Sequence, residues 1–273
     1  MLKFRSMALL AGVTLLGTAC GEPEAPATEA PKMTWEEFRA GVVQDPEGKY
    51  IFDGDMAVDS EEELRAFFDS AMSGTATNQD GLAVYNTGGG APAGDVKWSA
   101  AQKMNLTYCV SNTFGANKAR VVAAMNTATA AWEATASVNF IHNTALDANC
   151  TASQTGVLFD VRPVNSGGQY LARAFFPNSG RSARNVLVDN TAFGNTGVWT
   201  LAGIMRHELG HTLGFRHEHT RPEARTCFED NQWRGLTTYD SASVMHYPQC
   251  NGTQRGDLVL TARDQQGARA LYP

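Results

Sequence analysis

The chain is poor in cysteine, and no two of its five cysteines form a C-x-x-C pair. That argues against a metal held by thiolates. Its longest apolar run near the N-terminus, Met7 to Leu16, is too short to span a bilayer as a stable helix. There is no concentrated basic face, which excludes a nucleic-acid footprint, and no long internal repeat. What remains is an ordinary globular composition, 273 residues with 43% hydrophobic side chains, enough for one or two domains. Histidine is scarce too. There are only six, yet four of them fall between His207 and His219.

Charge is spread unevenly. Residues 21–72 hold 14 acidic and four basic side chains, whereas 73–273 hold 14 acidic and 16 basic ones. An acidic N-terminal segment thus precedes a nearly neutral body. Ahead of it, Lys3 and Arg5 precede the apolar run, which ends in Leu16-Gly17-Thr18-Ala19-Cys20. Residues 1–20 therefore read as an export signal. The ending resembles a bacterial lipobox with Cys20 as the lipidated residue. Cleavage near Ala19 with simple secretion, or an uncleaved anchor, are the alternatives. Export makes disulfides the natural state of Cys109, Cys150, Cys227 and Cys250. Of the three possible connectivities, Cys109–Cys150 and Cys227–Cys250 close the shortest local loops.

Residues 21–32 are rich in Pro, Ala and Glu and read as a flexible tether. Helices are expected from Thr34 through Trp35, Phe38 and Val42, and from Ser60 with Glu61 to Glu63 at its positive end and Leu64, Phe67, Phe68 and Ala71 on one face. Residues 73–95, rich in Gly, Thr and Asn, read as a linker with a candidate processing site. From about 96 the pattern is α+β. Strands are expected at 104–110, 138–142, 157–164, 170–176 and 185–188, with an Ala-rich helix over 117–136. Residues 219–260 look irregular, and a T-x-x-D capping box at Thr261 and Asp264 opens a last helix.

The core of the problem is HELGHTLGFRHEH, His207 to His219. Residues four apart on a helix lie about 40° apart and one turn above each other, so His207 and His211 can grip one ion. His217 could join them only if the helix ended first. On a continuing helix it would lie about 15 Å along the axis. Gly214 supplies the reversal, because glycine takes positive φ at a helix C-terminus without a Cβ penalty. Glu208, about 100° round the helix from His207, stands beside the ion and not on it, where a carboxylate can take a proton from water. Three histidines leave one position open, which suits catalytic zinc.

HExxHxxGxxH is similar to the zinc-binding signature of the metzincin metallopeptidases. The extension through Glu218-His219, with Arg221 beyond, looks most like the astacin branch. Ser243-Val244-Met245-His246-Tyr247 resembles the astacin S-x-M-H-Y turn. Lys97-Trp98 and Tyr108 resemble the start of an astacin catalytic domain, and Leu171-Ala172-Arg173-Ala174-Phe175-Phe176-Pro177 resembles the matrixin edge strand. The mixture is similar to the bacterial dual-action HEIGH metallopeptidases, from which HELGH is a conservative departure.

The resemblance implies a zincin fold for residues 96–273: a twisted mixed sheet with two long helices in an upper lobe, and an irregular lower lobe ending in a helix. It implies zinc on His207, His211 and His217, Glu208 as general base, Met245 as a floor beneath the metal, and Tyr247 as a switchable ligand that helps hold the oxyanion. Glu218 would meet the new N-terminus after activation, or it is a solvated surface acid. An extended peptide would add to the edge strand. Phe52-Asp53-Gly54-Asp55-Met56 reads on its own as a hairpin turn. By resemblance to astacin prosegments, it places Asp55 at the zinc position meant for water, which would make 33–72 a prosegment. The expected function is an exported zinc endopeptidase acting on peptides or proteins, with an aminopeptidase or a non-enzymatic zinc-binding lipoprotein as alternatives. Oligomeric state is not legible.

Overall fold

The computed structural model describes residues 33–73, 82–227 and 230–273. The signal reading of 1–20, Cys20 and the tether lie outside the described residues.

The first described helix, α1 (Trp35–Ala40), opens with a capping box between Thr34 and Glu37. Three short strands follow, β1 (Val43–Gln44), β2 (Tyr50–Phe52) and β3 (Met56–Val58), paired antiparallel in that order. The β2–β3 reversal is Asp53-Gly54-Asp55, with Asp53 at φ 46° and Gly54 at φ 90°. In α2 (Glu61–Ser73), the Ser60 hydroxyl accepts from the Glu63 amide at 3.1 Å, and Leu64, Phe67, Phe68 and Ala71 are buried as expected. These elements share a small aromatic core of Phe38, Phe52, Phe67 and Phe68, completed by Val96 and Phe176 from the body.

Next comes β4 (Ala83–Tyr85), where a linker was expected. It pairs antiparallel with β10 (Trp233–Gly235) and bridges Phe215 through Val84. Leu82, Ala83 and Val84 are fully buried. The Gly and Thr content around this stretch favours a linker, but four consecutive apolar residues outweigh it once β10 and the Phe215 backbone are available on either side. We expect a chain beginning at Leu82 to stay folded and one beginning at Val96 to lose most of its stability. Burial of Leu82 and Val84 alone is worth about 1.5–3 kcal/mol each, against a total of about 5–15 kcal/mol. Thermal unfolding of the two truncations decides this.

The body is built on a five-stranded sheet. Its members are β5 (Leu106–Val110), β6 (Phe140–His142), β7 (Phe159–Val164), β8 (Ala172–Arg173) and β9 (Asn185–Asp189). The order is β6-β5-β7-β9-β8, parallel except for the β8–β9 pair. The expected strand over 170–176 shrinks to two residues. As an edge it has one partner only, and after Arg173 the chain leaves β9: Phe175 enters the main core and Phe176 the aromatic one. Helices α3 (Lys118–Glu133) and α4 (Leu201–Thr212) bury Val121, Met125, Trp132, Met205 and Leu209 against Val161, Val186 and Val188 of the sheet. The region after α4 is irregular apart from β10, until α5 (Ala262–Leu271), whose Thr261–Asp264 capping box forms. Cys109–Cys150 and Cys227–Cys250 are bonded, as loop length favours. No helix among the described residues is long and apolar enough to cross a membrane.

Candidate active site

Helix α4 carries His207, Glu208 and His211 and must stop at a fixed point. Its end satisfies the orphan carbonyls in three ways. The Gly214 amide donates to His211 O at 2.8 Å and the Phe215 amide to Gly210 O at 3.0 Å, a Schellman ending. The Trp98 indole donates to Thr212 O at 2.7 Å, and the Tyr272 hydroxyl to Leu213 O at 2.7 Å. Gly214 sits at φ 99°, and a side chain there would collide with the Val96 carbonyl. Gly214→Ala is expected to cost on the order of 1–3 kcal/mol through backbone strain alone. It should also lower metal content by displacing His217; thermal unfolding and metal analysis check both.

The reversal brings the three histidines together. His217 Nε2 lies 3.2 Å from His207 Nε2 and 3.1 Å from His211 Nε2. Asp55 stands against all three: its Oδ1 lies 3.4 Å from His211 Nε2 and 3.0 Å from His217 Nε2, and its Oδ2 lies 3.2 Å from His207 Nε2. A regular tetrahedron with Zn–N bonds of about 2.0–2.1 Å has edges of about 3.3–3.4 Å. The set therefore matches zinc in donor chemistry, and the spacings of His217 from the other two histidines match its size within a few tenths of an ångström. Asp55 is buried and one of its oxygens, Oδ1, has no hydrogen-bond donor, as a ligand oxygen would not. The hairpin reading of 52–56 and the zinc-position reading of Asp55 are thus compatible: the turn is the means of presenting Asp55.

The outer nitrogens are oriented. His207 Nδ1 faces the Val244 carbonyl at 2.7 Å and His211 Nδ1 the Phe215 carbonyl at 2.8 Å, which fixes the tautomers that leave Nε2 free. The Ser243–Tyr247 turn is held by Asp264, which accepts from the Val244 amide at 2.9 Å and from the Ser243 hydroxyl at 2.5 Å. Met245 is fully buried below, and a side chain at Gly210 would strike its sulfur. Tyr247 donates to Asp55 Oδ2 at 2.7 Å, and its ring lies 4.6 Å from that of His217.

Glu208 is buried and its Oε2 has no partner among the described residues. Burial first, and then the nearby Asp55 charge, push its carboxyl well above the ordinary carboxylate range. It borders a cavity of about 210 Å³ shared with His207 and Tyr247 and walled by Leu171, Trp199, Ile204 and Leu258. Glu218 is not a surface acid. It is fully buried, accepts from the Asp240 amide at 2.9 Å and faces Arg221 at 3.5 Å, and burial lifts its carboxyl to about 8.

Two features escaped the sequence reading. Asp53, read only as a turn residue, meets His217 Nδ1 at 2.8 Å and His219 Nε2 at 3.2 Å. Arg173, fully buried on β8, is held by Asp45 of the N-terminal segment at 2.7 Å, which also accepts from the Tyr170 hydroxyl at 3.2 Å. Neither contact has a local signal. The partners are more than 120 residues apart.

Comparison with known proteins agrees with this geometry. Residues 97–226 match the matrixin family of peptidases. Tolloid-like protein 2 of Mus musculus is 38% identical over 89 residues, which is 24% of this chain and 9% of that protein. High choriolytic enzyme 2 of Oryzias latipes is 34% identical over 70 residues, 19% of this chain and 25% of that enzyme. The chain thus spans only a small part of the curated relatives it matches. Among solved structures, that of myroilysin covers 70% of this chain and 98% of its own, at 17% identity and a TM-score of 0.47.

Proposed function

We propose that this chain, which belongs to the metzincin zinc metallopeptidases, is an exported endopeptidase kept latent by its own residues 33–72. The observation that carries the reading is the converging set of His207, His211, His217 and Asp55, with Glu208, whose Oε2 has no partner among the described residues, on the cavity beside it. The three histidines would hold zinc. When bound, zinc acts as a Lewis acid and brings the pKa of water at its open position to about 7. Glu208 takes a proton from the attacking water and returns it to the leaving amine. Tyr247, once Asp55 has left, is free to donate to the carbonyl oxygen as negative charge develops there. Met245 supports the histidines from beneath. The edge strand β8 offers its backbone to an extended peptide, which gives binding with little dependence on side chains. The apolar cavity next to Glu208 suits an apolar side chain flanking the scissile bond.

Latency is supported by the way the acidic segment covers the site: Asp55 among the histidines, Asp45 on Arg173, and Glu47 on Arg162 at 2.6 Å. The signal pattern and the two disulfides support export, with lipid attachment at Cys20 or simple secretion as its two forms. Endopeptidase is favoured over aminopeptidase because, among the described residues, the only acids lining the cavity are Glu208 and Asp55. With Asp55 gone, no second carboxylate remains there to hold a free α-ammonium. A non-enzymatic zinc site would gain nothing from a buried Glu208 whose Oε2 has no partner among the described residues.

The test uses processed protein, its zinc content and quenched peptides with free or acetylated N-termini. Cleavage of internal bonds at equal rates on both peptides is expected. A strict need for the free amine would move the assignment to an aminopeptidase, and zinc without any cleavage would move it to a binding protein.

A further inference from the structure

We propose that Asp53 is a positioning residue for the metal, so that the N-terminal segment tightens zinc binding through His217 in addition to covering the site with Asp55. This rests on the reading above, of a zinc set that the segment covers until processing.

The argument starts from the outer nitrogens of the three histidines. Two of them face carbonyls of Val244 and Phe215, which belong to the body and not to the segment. The third does not. His217 Nδ1 faces Asp53 Oδ2 at 2.8 Å, and Asp53 belongs to the segment. An imidazole that donates its outer N–H to a carboxylate is held in one tautomer and ring orientation, and its inner nitrogen becomes more basic.

The second oxygen of Asp53 is fixed as well. The Tyr247 amide donates to His219 Nδ1 at 3.2 Å, so His219 carries its proton on Nε2 and donates it to Asp53 Oδ1 at 3.2 Å. The His219 ring in turn stacks on His217, with centroids 4.6 Å apart and planes at 20°. Asp53 is therefore anchored by one histidine while it orients its neighbour.

The turn geometry makes this double contact possible. Asp53 at φ 46° and Gly54 at φ 90° lay the hairpin tip flat on the Tyr247 ring, where a side chain on Gly54 would come within 2.6 Å of Cε2. The two aspartates on either side of Gly54 then reach the two nitrogens of one imidazole. Asp55 Oδ1 stands 3.0 Å from Nε2 of His217, and Asp53 stands 2.8 Å from its Nδ1. Removal of the segment takes away a metal ligand and the outer partner of a second ligand together.

The experiment is equilibrium competition for zinc between a chromogenic chelator and four proteins: full-length, full-length Asp53→Ala, full-length Asp53→Asn, and processed. Loss of an outer-shell carboxylate typically lowers metal affinity about 10–100-fold. Asp53→Ala is expected to show that drop while remaining latent, because Asp55 is intact. Asp53→Asn tolerates positive φ and keeps a neutral acceptor, so it should fall between wild type and Asp53→Ala. Processed protein should bind zinc no more tightly than Asp53→Ala. An Asp53→Ala affinity equal to wild type overturns the proposal. So does an Asp53→Ala protein as active as Asp55→Ala, since the hairpin would then have left its seat. Absence of zinc from all four proteins would instead refute the assignment of the histidines themselves.

Discussion

Replacing Glu208 with alanine is expected to lower kcat/KM on a peptide substrate by about 10²- to 10⁴-fold, the usual contribution of a positioned general base, while zinc content stays that of the parent. The two readouts separate because Glu208 is not among the converging ligand atoms, which belong to His207, His211, His217 and Asp55. Its carboxylate is buried without a partner for Oε2, a costly arrangement that removal of the side chain would relieve. The variant should therefore be as stable as the parent, or more so. Glu208→Gln keeps the shape and the burial but cannot take a proton, and it should be nearly as inactive as the alanine variant. Steady-state kinetics on processed protein with parallel metal analysis make the comparison. A Glu208→Ala enzyme that turns over at the parental rate would mean that another group moves the proton.

Legibility from sequence followed the range of the interactions involved. The α4 helix, its glycine stop and the convergence of three histidines lie within a dozen residues, so spacing alone predicts them, although Trp98, Tyr272 and Val244 add distant support. The same holds for the capping box at Thr261 and Asp264 and for the hairpin at Asp53-Gly54. What spacing missed depends on partners far along the chain. Leu82 to Tyr85 is too short to read as a strand until Trp233–Gly235 and Phe215 are known to lie on either side of it. Asp53 reads as a turn former because positive φ explains it fully; its histidine partners are over 160 residues away. For Glu218 spacing leaves a surface acid open beside the role the resemblance implies, and the surface reading fails because the lower lobe buries it around Asp240 and Arg221. The edge strand is shorter than its apolar run suggests, for the opposite reason. Its apolar residues are buried in two different cores, not along one ladder.

Full-length Asp55→Ala is expected to cleave peptides that the intact full-length protein leaves alone. Asp55 stands 3.0–3.4 Å from three imidazole nitrogens and accepts from Tyr247 at 2.7 Å. Removing one partner from a buried, charged set of this kind typically costs about 3–5 kcal/mol, a shift of roughly 10²- to 10⁴-fold in the ratio of covered to uncovered site. Release should still be incomplete. The aromatic core of Phe38, Phe52, Phe67 and Phe68 and the Asp45–Arg173 contact hold the segment in place without any metal. Activity of the variant should accordingly lie between that of uncut and processed protein, and adding Asp45→Asn should raise it further. Rates for uncut wild type, the two variants and processed enzyme on one quenched peptide test the order. Uncut wild type already as active as the processed form, with no change on losing Asp55, would show that the segment covers nothing that matters for turnover. The same acidic side chain cannot then be serving as the occupant of the water position, and its burial among three histidines would have to be explained as metal binding alone.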